Sequence, residues 1–328
     1  MKAGILLINL GTPESVSAKD IKQYLCEFLS DKRVVEIPAI IWQPILRGLI
    51  LPFRSRKLVD KYQKVWMEGG SPLYVHSLAQ AKGLAAELAR QNVAVPVELA
   101  MRYGKPSLQG ALERLREQSC ERILVVPMYP QYAASTTATI FDEIARISAG
   151  FRDQPEYRFL KRFYAEPAYI LAQANKVKAF WRENGKPQRL LISFHGLPQQ
   201  SVDQGDPYYK DCVATVDLLK QSLEEEGCDI EFSFQSQFGK AKWIGPATQA
   251  TLESYPGQGI NRVDVLCPGF VADCLETLEE IQLECAHAFK QAGGEQFRYI
   301  PCLNDDAQWI SGLGEIVMRH LQGWHAGS

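Results

Sequence analysis

The chain has 328 residues, 46% of them hydrophobic and 23% charged, with a formal net charge of −2. That length suits two domains of ordinary size, and the near-balanced charge excludes the usual nucleic-acid binder, which carries a clear excess of Lys and Arg. The eight cysteines form no C-x-x-C pair, so no structural zinc or iron–sulfur site is indicated, and their scatter fits reduced thiols in a cytoplasmic protein better than a disulfide framework.

The first apolar run, GILLIN (4–9), is too short for a secretory leader and runs into Gly-Thr-Pro, so it reads as a first core strand. The stretch IPAIIWQPILRGLILPF (37–53) is strongly apolar but interrupted by Pro38, Pro44, Arg47 and Pro52. Three prolines argue against a continuous buried helix. The segment reads either as a core connection or as an apolar lip, exposed around a pocket or touching a membrane surface. No run of about 18 apolar residues occurs, so no spanning helix is expected.

Further strands are predicted at VELAMRY (97–103), RILVVPM (122–128), RFLKRF (158–163), RLLISF (189–194), IEFSFQS (230–236), VDVLCP (263–268) and FRYIP (297–301). Between them lie amphipathic stretches such as 106–118, 136–149, 166–183, 207–226 and 273–291. Strands with continuous apolar runs are buried on both faces, and their alternation with helices implies parallel sheets flanked by helices. The predicted fold is α/β, two Rossmann-like domains with a four-stranded parallel sheet each. The first domain is expected over 1–155 with a C-terminal helix at 305–323, the second over 156–304.

LLINLGTP (6–13) and LISFHGLP (191–198) echo each other as a strand ending in Gly-x-Pro. Ligands of open parallel sheets sit at the carboxyl ends of strands, so His195 is expected to project toward such a crevice. Taken alone, a histidine there is more often a hydrogen-bonded structural residue than a ligand or base. A second strand ends at Cys267-Pro268-Gly269, and a helix with Asp273 as its N-cap is expected to follow. On it Glu276, Glu280 and Glu284 fall at i, i+4 and i+8, a solvated face or a line of carboxylates able to carry hydrated divalent cations. Tyr129 and Tyr132 follow another strand, as do Gln235, Ser236, Gln237 and Trp243. An aromatic rim with few charges suits a large flat ligand.

Taken in order, LLINLGTP, EFLSDKRVV, EGGSPL, MYPQYAASTT, ISFHGLP, FQSQFGKAKW and CPGFVADCLETLEEI resemble the ferrochelatases, enzymes that insert Fe²⁺ into a porphyrin. The resemblance covers nearly the whole chain. It implies two Rossmann-like halves with a porphyrin cleft between them, and no permanently bound cofactor, with porphyrin and ferrous iron as substrates. It implies His195 and Glu276 as the catalytic pair, and His195, Glu276, Glu280 and Glu284 as the groups that meet metal. Leu10, Arg54, Tyr62, Ser71, Tyr129, Trp243 and Phe270 match porphyrin-binding positions, with Arg54 suited to a propionate. The 37–53 segment resembles the family's apolar lip, implying peripheral contact with the inner face of a membrane. Cys274 stands where some members carry histidine, and Gln237 where bacterial relatives often carry arginine. Members with a [2Fe–2S] cluster use a C-terminal cysteine group; the last cysteine here is Cys302, so no cluster is expected.

The motif wording favours protoporphyrin IX, giving protohaem. Coproporphyrin III, insertion of cobalt or nickel into another tetrapyrrole, and a non-catalytic haem carrier stay open at this stage, as does the role of His195 as base or ligand. NLGTP (9–13) lacks the glycines or lysine of a phosphate cradle.

Overall fold

The structure, a computed structural model, describes residues 1–239 and 241–324. The chain divides into two compact units: Met1–Arg162 together with the chain from Asp305, and Phe163–Asn304.

The first unit is built on β1 (Lys2–Thr12), β2 (Val97–Gly104), β3 (Cys120–Pro127) and β4 (Glu156–Phe159), in the order β2-β1-β3-β4. All pairs are parallel. Ile5, Leu6, Leu7 and Ile8 are all at most 1% exposed, as expected for a strand covered on both faces. At its carboxyl end Gly11 is obligatory. Its φ is +119°, and a Cβ there would lie 1.8 Å from the Tyr103 carbonyl oxygen.

β4 lies just beyond the division expected after residue 155. The strand expected at 158–163 runs instead over Glu156–Phe159 and pairs with β3 from Arg122↔Glu156 to Val125↔Phe159. Tyr157 and Phe159 pack against the core around Ile123 and Val125, and the first unit extends to Arg162. The C-terminal helix Ala307–His320, capped by Asp306, belongs to this unit and packs on the helix Pro72–Arg90.

The 37–53 segment is helical from Ala39 onward, and it is mostly exposed, so it is not the continuous buried helix its prolines argued against. Helix Ala39–Ile45 passes through a π-helical turn, Leu46–Ile50, into helix Leu51–Val65. Pro44 is tolerated because it withholds an N–H only from the carbonyl of Ile40, a residue 86% exposed whose carbonyl water can serve. Leu46 and Leu51 are buried, whereas Ile37, Ile41, Ile45, Leu49 and Phe53 are exposed like Ile40. The Trp42 indole N–H donates to the Leu29 carbonyl at 2.6 Å, tying the segment to the end of helix Ala18–Ser30. No helix among the described residues is long and apolar enough to cross a membrane.

The second unit repeats the topology with β5 (Arg189–His195), β6 (Asp229–Gln235), β7 (Arg262–Leu266) and β8 (Gln296–Ile300), in the order β6-β5-β7-β8. Thus β5 holds the central place that β1 holds in the first unit, and Leu10 precedes Gly11 as His195 precedes Gly196. Leu191, Val263, Val265, Ile281 and Phe289 form the core on one face. The helix after β7 starts as a π-helix, Glu276–Cys285, and continues as the α-helix Ala286–Gln291. Asp273 does not cap it through a backbone N–H. Its carboxylate accepts from the hydroxyls of Thr277 and Tyr299 and from the side-chain amide of Asn304, and those three donors outbid the helix end.

Candidate active site

His195 is the last residue of β5, and Gly196 turns the chain immediately behind it. A Cβ on Gly196 would come within 2.7 Å of the Gln235 carbonyl oxygen and 3.1 Å of the Trp243 ring, so only glycine lets the Gly196 N–H donate to that carbonyl at 2.7 Å. The His195 Nδ1 lies 2.7 Å from the Gly196 carbonyl oxygen. A carbonyl can only accept, so Nδ1 carries the proton, and in the neutral ring Nε2 is left as the basic nitrogen. The Phe270 ring stands 6.5 Å from the imidazole, tilted by 57°. The Tyr208 hydroxyl donates to the His195 carbonyl at 3.0 Å.

Gln235, the last residue of β6, is directly opposite His195 in the parallel register. Its side chain is buried, and every polar atom of its amide head is used. Its Oε1 accepts from the Ser193 hydroxyl at 2.8 Å and from the Cys267 thiol at 3.6 Å, and its Nε2 donates to the Glu276 carbonyl at 2.8 Å. Ser193 and Ser233 both meet the Thr248 hydroxyl behind it. One amide therefore joins the ends of β5, β6 and β7 to the first turn of the π-helix. Sequence reading grouped Gln235 with the loop beyond the strand. The parallel register with His195 is the signal that would have separated it.

The widened turn of a π-helix, with its i→i+5 bonds, recurs at functional sites. Here it keeps Glu276, Glu280 and Glu284 in one row. Glu276 and Glu280 are half-buried and Glu284 is exposed, so the row runs from the strand ends to solvent. Burial pushes the Glu280 carboxyl above its ordinary range, against hydrogen bonds from Ser236 and the favourable charge of His195; Glu276 adds to the upward push. Glu280 thus feels both members of the expected pair. Glu279, on the inner side of the same helix, is also buried and was not singled out by sequence. Burial first, and the neighbouring Glu276 carboxylate second, hold the Cys274 thiol well above the ordinary thiol range, so it stays protonated. Among the described residues no three His, Cys, Asp or Glu side chains form a metal-holding group. One imidazole nitrogen and a carboxylate are too few ligands to store a divalent cation.

Trp243 follows β6. Its indole N–H donates to the Phe238 carbonyl at 2.9 Å, and the two rings lie 5.0 Å apart. The second unit thus brings together His195, Glu276, Glu280 and Phe270, with Trp243 against Gly196 and Glu284 at the outer end of the row.

The other expected positions lie in the first unit. Leu10 is half-buried, its N–H accepted by the Asn9 side chain at 2.9 Å. Arg54 is exposed and Tyr62 is buried on the same helix, Leu51–Val65. Buried Ser71 caps helix Pro72–Arg90 by accepting from the Tyr74 N–H at 3.2 Å. The Tyr129 hydroxyl is buried without a hydrogen-bond partner among the described residues. Burial first and Tyr103 second push it well above the ordinary phenol range, with Arg102 opposing. Sequence reading missed the group beside it. Asp31 accepts from Arg102 at 2.6 Å, the Tyr103 hydroxyl at 2.9 Å and the Thr139 hydroxyl at 2.5 Å, and Asp31, the Arg102–Tyr103 pair and Thr139 are far apart in sequence with no shared motif.

Among solved structures, SirB from Bacillus subtilis with Fe³⁺ superimposes with a TM-score of 0.56 at 14% identity, covering 98% of this chain and 96% of that one. The sirohydrochlorin chelatase SirB from Bacillus subtilis subspecies spizizenii in complex with cobalt gives 0.55 at 13% identity, covering 98% and 95%. At that identity the likeness is one of fold: two Rossmann-like domains of the chelatase kind. A family profile described as Ferrochelatase matches residues 2–321. Ferrochelatase from Bordetella pertussis is 54% identical over 327 residues, all of this chain and 90% of the relative. Ferrochelatase from Aromatoleum aromaticum is 50% identical over 324 residues, 98% of this chain and 89% of the relative. The chain belongs to the ferrochelatase family, lyase-type metallochelatases.

Proposed function

We propose that this protein inserts Fe²⁺ into protoporphyrin IX, forming protohaem and releasing the two pyrrole protons. The observation that carries the reading is the 2.7 Å contact between His195 Nδ1 and the Gly196 carbonyl oxygen, from which the Nδ1–H tautomer follows. That tautomer leaves Nε2 to take a pyrrole proton as the metal enters. Glu276, held to the same strand end by Gln235, stabilises the imidazolium and offers an oxygen to the incoming cation. Glu284, exposed at the outer end of the row, meets the hydrated ion first.

Leu10, Tyr62, Ser71, Tyr129, Trp243 and Phe270 are assigned to the porphyrin ring and Arg54 to a propionate, where a guanidinium pairs well with a carboxylate. The protein works in the cytoplasm, and its exposed apolar segment 37–53 makes peripheral contact with a membrane, a suitable arrangement for an apolar substrate.

The test is anaerobic addition of Fe²⁺ to protein with protoporphyrin IX, following loss of free-porphyrin fluorescence, with coproporphyrin III and sirohydrochlorin in parallel. Fastest catalysed loss with protoporphyrin IX is expected. Preference for either other tetrapyrrole would replace the substrate, and no catalysed loss with any would replace the function.

A further inference from the structure

We propose that Glu280 is a positioning residue: its carboxylate holds Ser236 and, through Ser236, the loop after β6 that carries Trp243. The part played by Trp243 against the porphyrin rests on the reading above; the latch itself does not.

Both oxygens of Glu280 are occupied. Oε1 accepts from the Ser236 backbone N–H at 2.6 Å and Oε2 from the Ser236 hydroxyl at 2.5 Å. Ser236 has φ +60°, a left-handed conformation that residues with a Cβ avoid. Something must hold it there, and a carboxylate gripping the same residue through both its donors does so. The grip also compensates Glu280 for its partial burial and for the charge of Glu276 nearby.

Beyond Ser236 the loop is zipped across itself. The Gln237 side-chain amide donates to the Ile244 carbonyl at 2.9 Å, and the Trp243 indole donates to the Phe238 carbonyl at 2.9 Å. The far side of the loop joins the turn behind His195, where the Ile244 N–H donates to the Leu197 carbonyl at 3.0 Å and the Gln199 N–H to the Lys242 carbonyl at 2.9 Å. The loop is therefore tied to the histidine turn at one end and to the π-helix at the other. Ser236–Glu280 is the second tie. The two Ser236 donors take one lone pair on each oxygen, and what the loop loses with the carboxylate is this tie, so its removal should be felt first by the flat substrate.

The test uses Glu280→Ala, which removes both acceptors, and Ser236→Ala, which removes only the hydroxyl and guards against failure of the first variant to fold. In porphyrin-free protein, hydrogen exchange at the Ser236 amide should speed up by about ten-fold or more in Glu280→Ala, the loss of a charge-assisted bond. In steady state, KM for porphyrin should rise by about ten-fold on the same basis, a larger change than in KM for Fe²⁺. Ser236→Ala should show smaller changes in the same direction, and the double variant should add little to Glu280→Ala. Unchanged amide exchange would overturn the latch. A rise in KM for Fe²⁺ with porphyrin KM unchanged would make Glu280 a cation ligand instead. Wild-type protein without turnover would remove the functional reading, and amide exchange would still decide the latch.

Discussion

The Gln235 side-chain amide donates to the main-chain carbonyl of Glu276 at 2.8 Å, while Gln235 itself stands opposite His195 in the β5–β6 register. A neutral, buried residue thus sets the spacing between the imidazole and the helix that bears the carboxylate. Gln235→Leu keeps the bulk and removes the bonds, leaving the Glu276 carbonyl and the Ser193 hydroxyl short of a partner. Chemical denaturation should register a loss of about 1–3 kcal/mol. Steady-state kinetics should show kcat falling more than either KM, because the substrates still bind and the pair no longer meets them in register. Wild-type kcat in a folded variant would remove Gln235 from the machinery.

Asp31 makes an acid-side prediction. Burial alone would raise its carboxyl, but hydrogen bonds from Thr139, the Arg33 backbone and Tyr103, with the Arg102 charge, outweigh burial and hold it below its ordinary value of 3.8. A lowered native pKa means the unfolded chain takes up the proton first as pH falls. The stabilisation is therefore complete above 3.8 and is lost as pH drops through the native value. Asp31→Asn should be less stable than wild type at pH 7, and the gap should narrow toward pH 3. Urea midpoints measured across that range check this, and a gap independent of pH would contradict it.

The exposed face of the 37–53 segment, with Ile40 86%, Phe53 63% and Leu49 58% exposed, should lower the free energy of the protein on a lipid surface. Leu46 and Leu51 point inward, so the outer residues can be changed without touching the core. Burying three such side chains at about 1.5–3 kcal/mol each when complete implies that Ile40→Ser/Leu49→Ser/Phe53→Ser weakens vesicle binding by at least about ten-fold. Co-sedimentation with anionic vesicles reads this directly. Equal binding by the triple variant would move any membrane contact elsewhere.

Much of this architecture is legible before folding because doubly covered strands write themselves as unbroken apolar runs. RLLISFH and GILLIN are both of that type, and their shared Gly-x-Pro ending marks two strands in equivalent places. The strand EYRF is hard to place from sequence because it alternates polar and apolar residues, as befits an edge strand. Only its register with β3 shows where it belongs. The helix after β7 was foreseen, but not that its first ten residues wind as a π-helix, since nothing in the i, i+4, i+8 spacing distinguishes the two. His195 and the row of glutamates stand out in the sequence by position and charge. Gln235 and Ser236 do their work through hydrogen bonds to residues some forty places away, which no local pattern encodes. Asp273 looked like a helix cap because its neighbours Tyr299 and Asn304 lie beyond any local window.

The central claim is that His195 and Glu276 act on the metal and the pyrrole protons rather than on porphyrin capture. The most direct measurement is a paired one on His195→Ala and Glu276→Ala: porphyrin affinity by fluorescence titration, and anaerobic Fe²⁺ insertion on the same samples. Porphyrin affinity within about three-fold of wild type, with insertion slowed by at least about 100-fold, is the predicted result. Insertion near the wild-type rate in either variant, with porphyrin still bound, would contradict it.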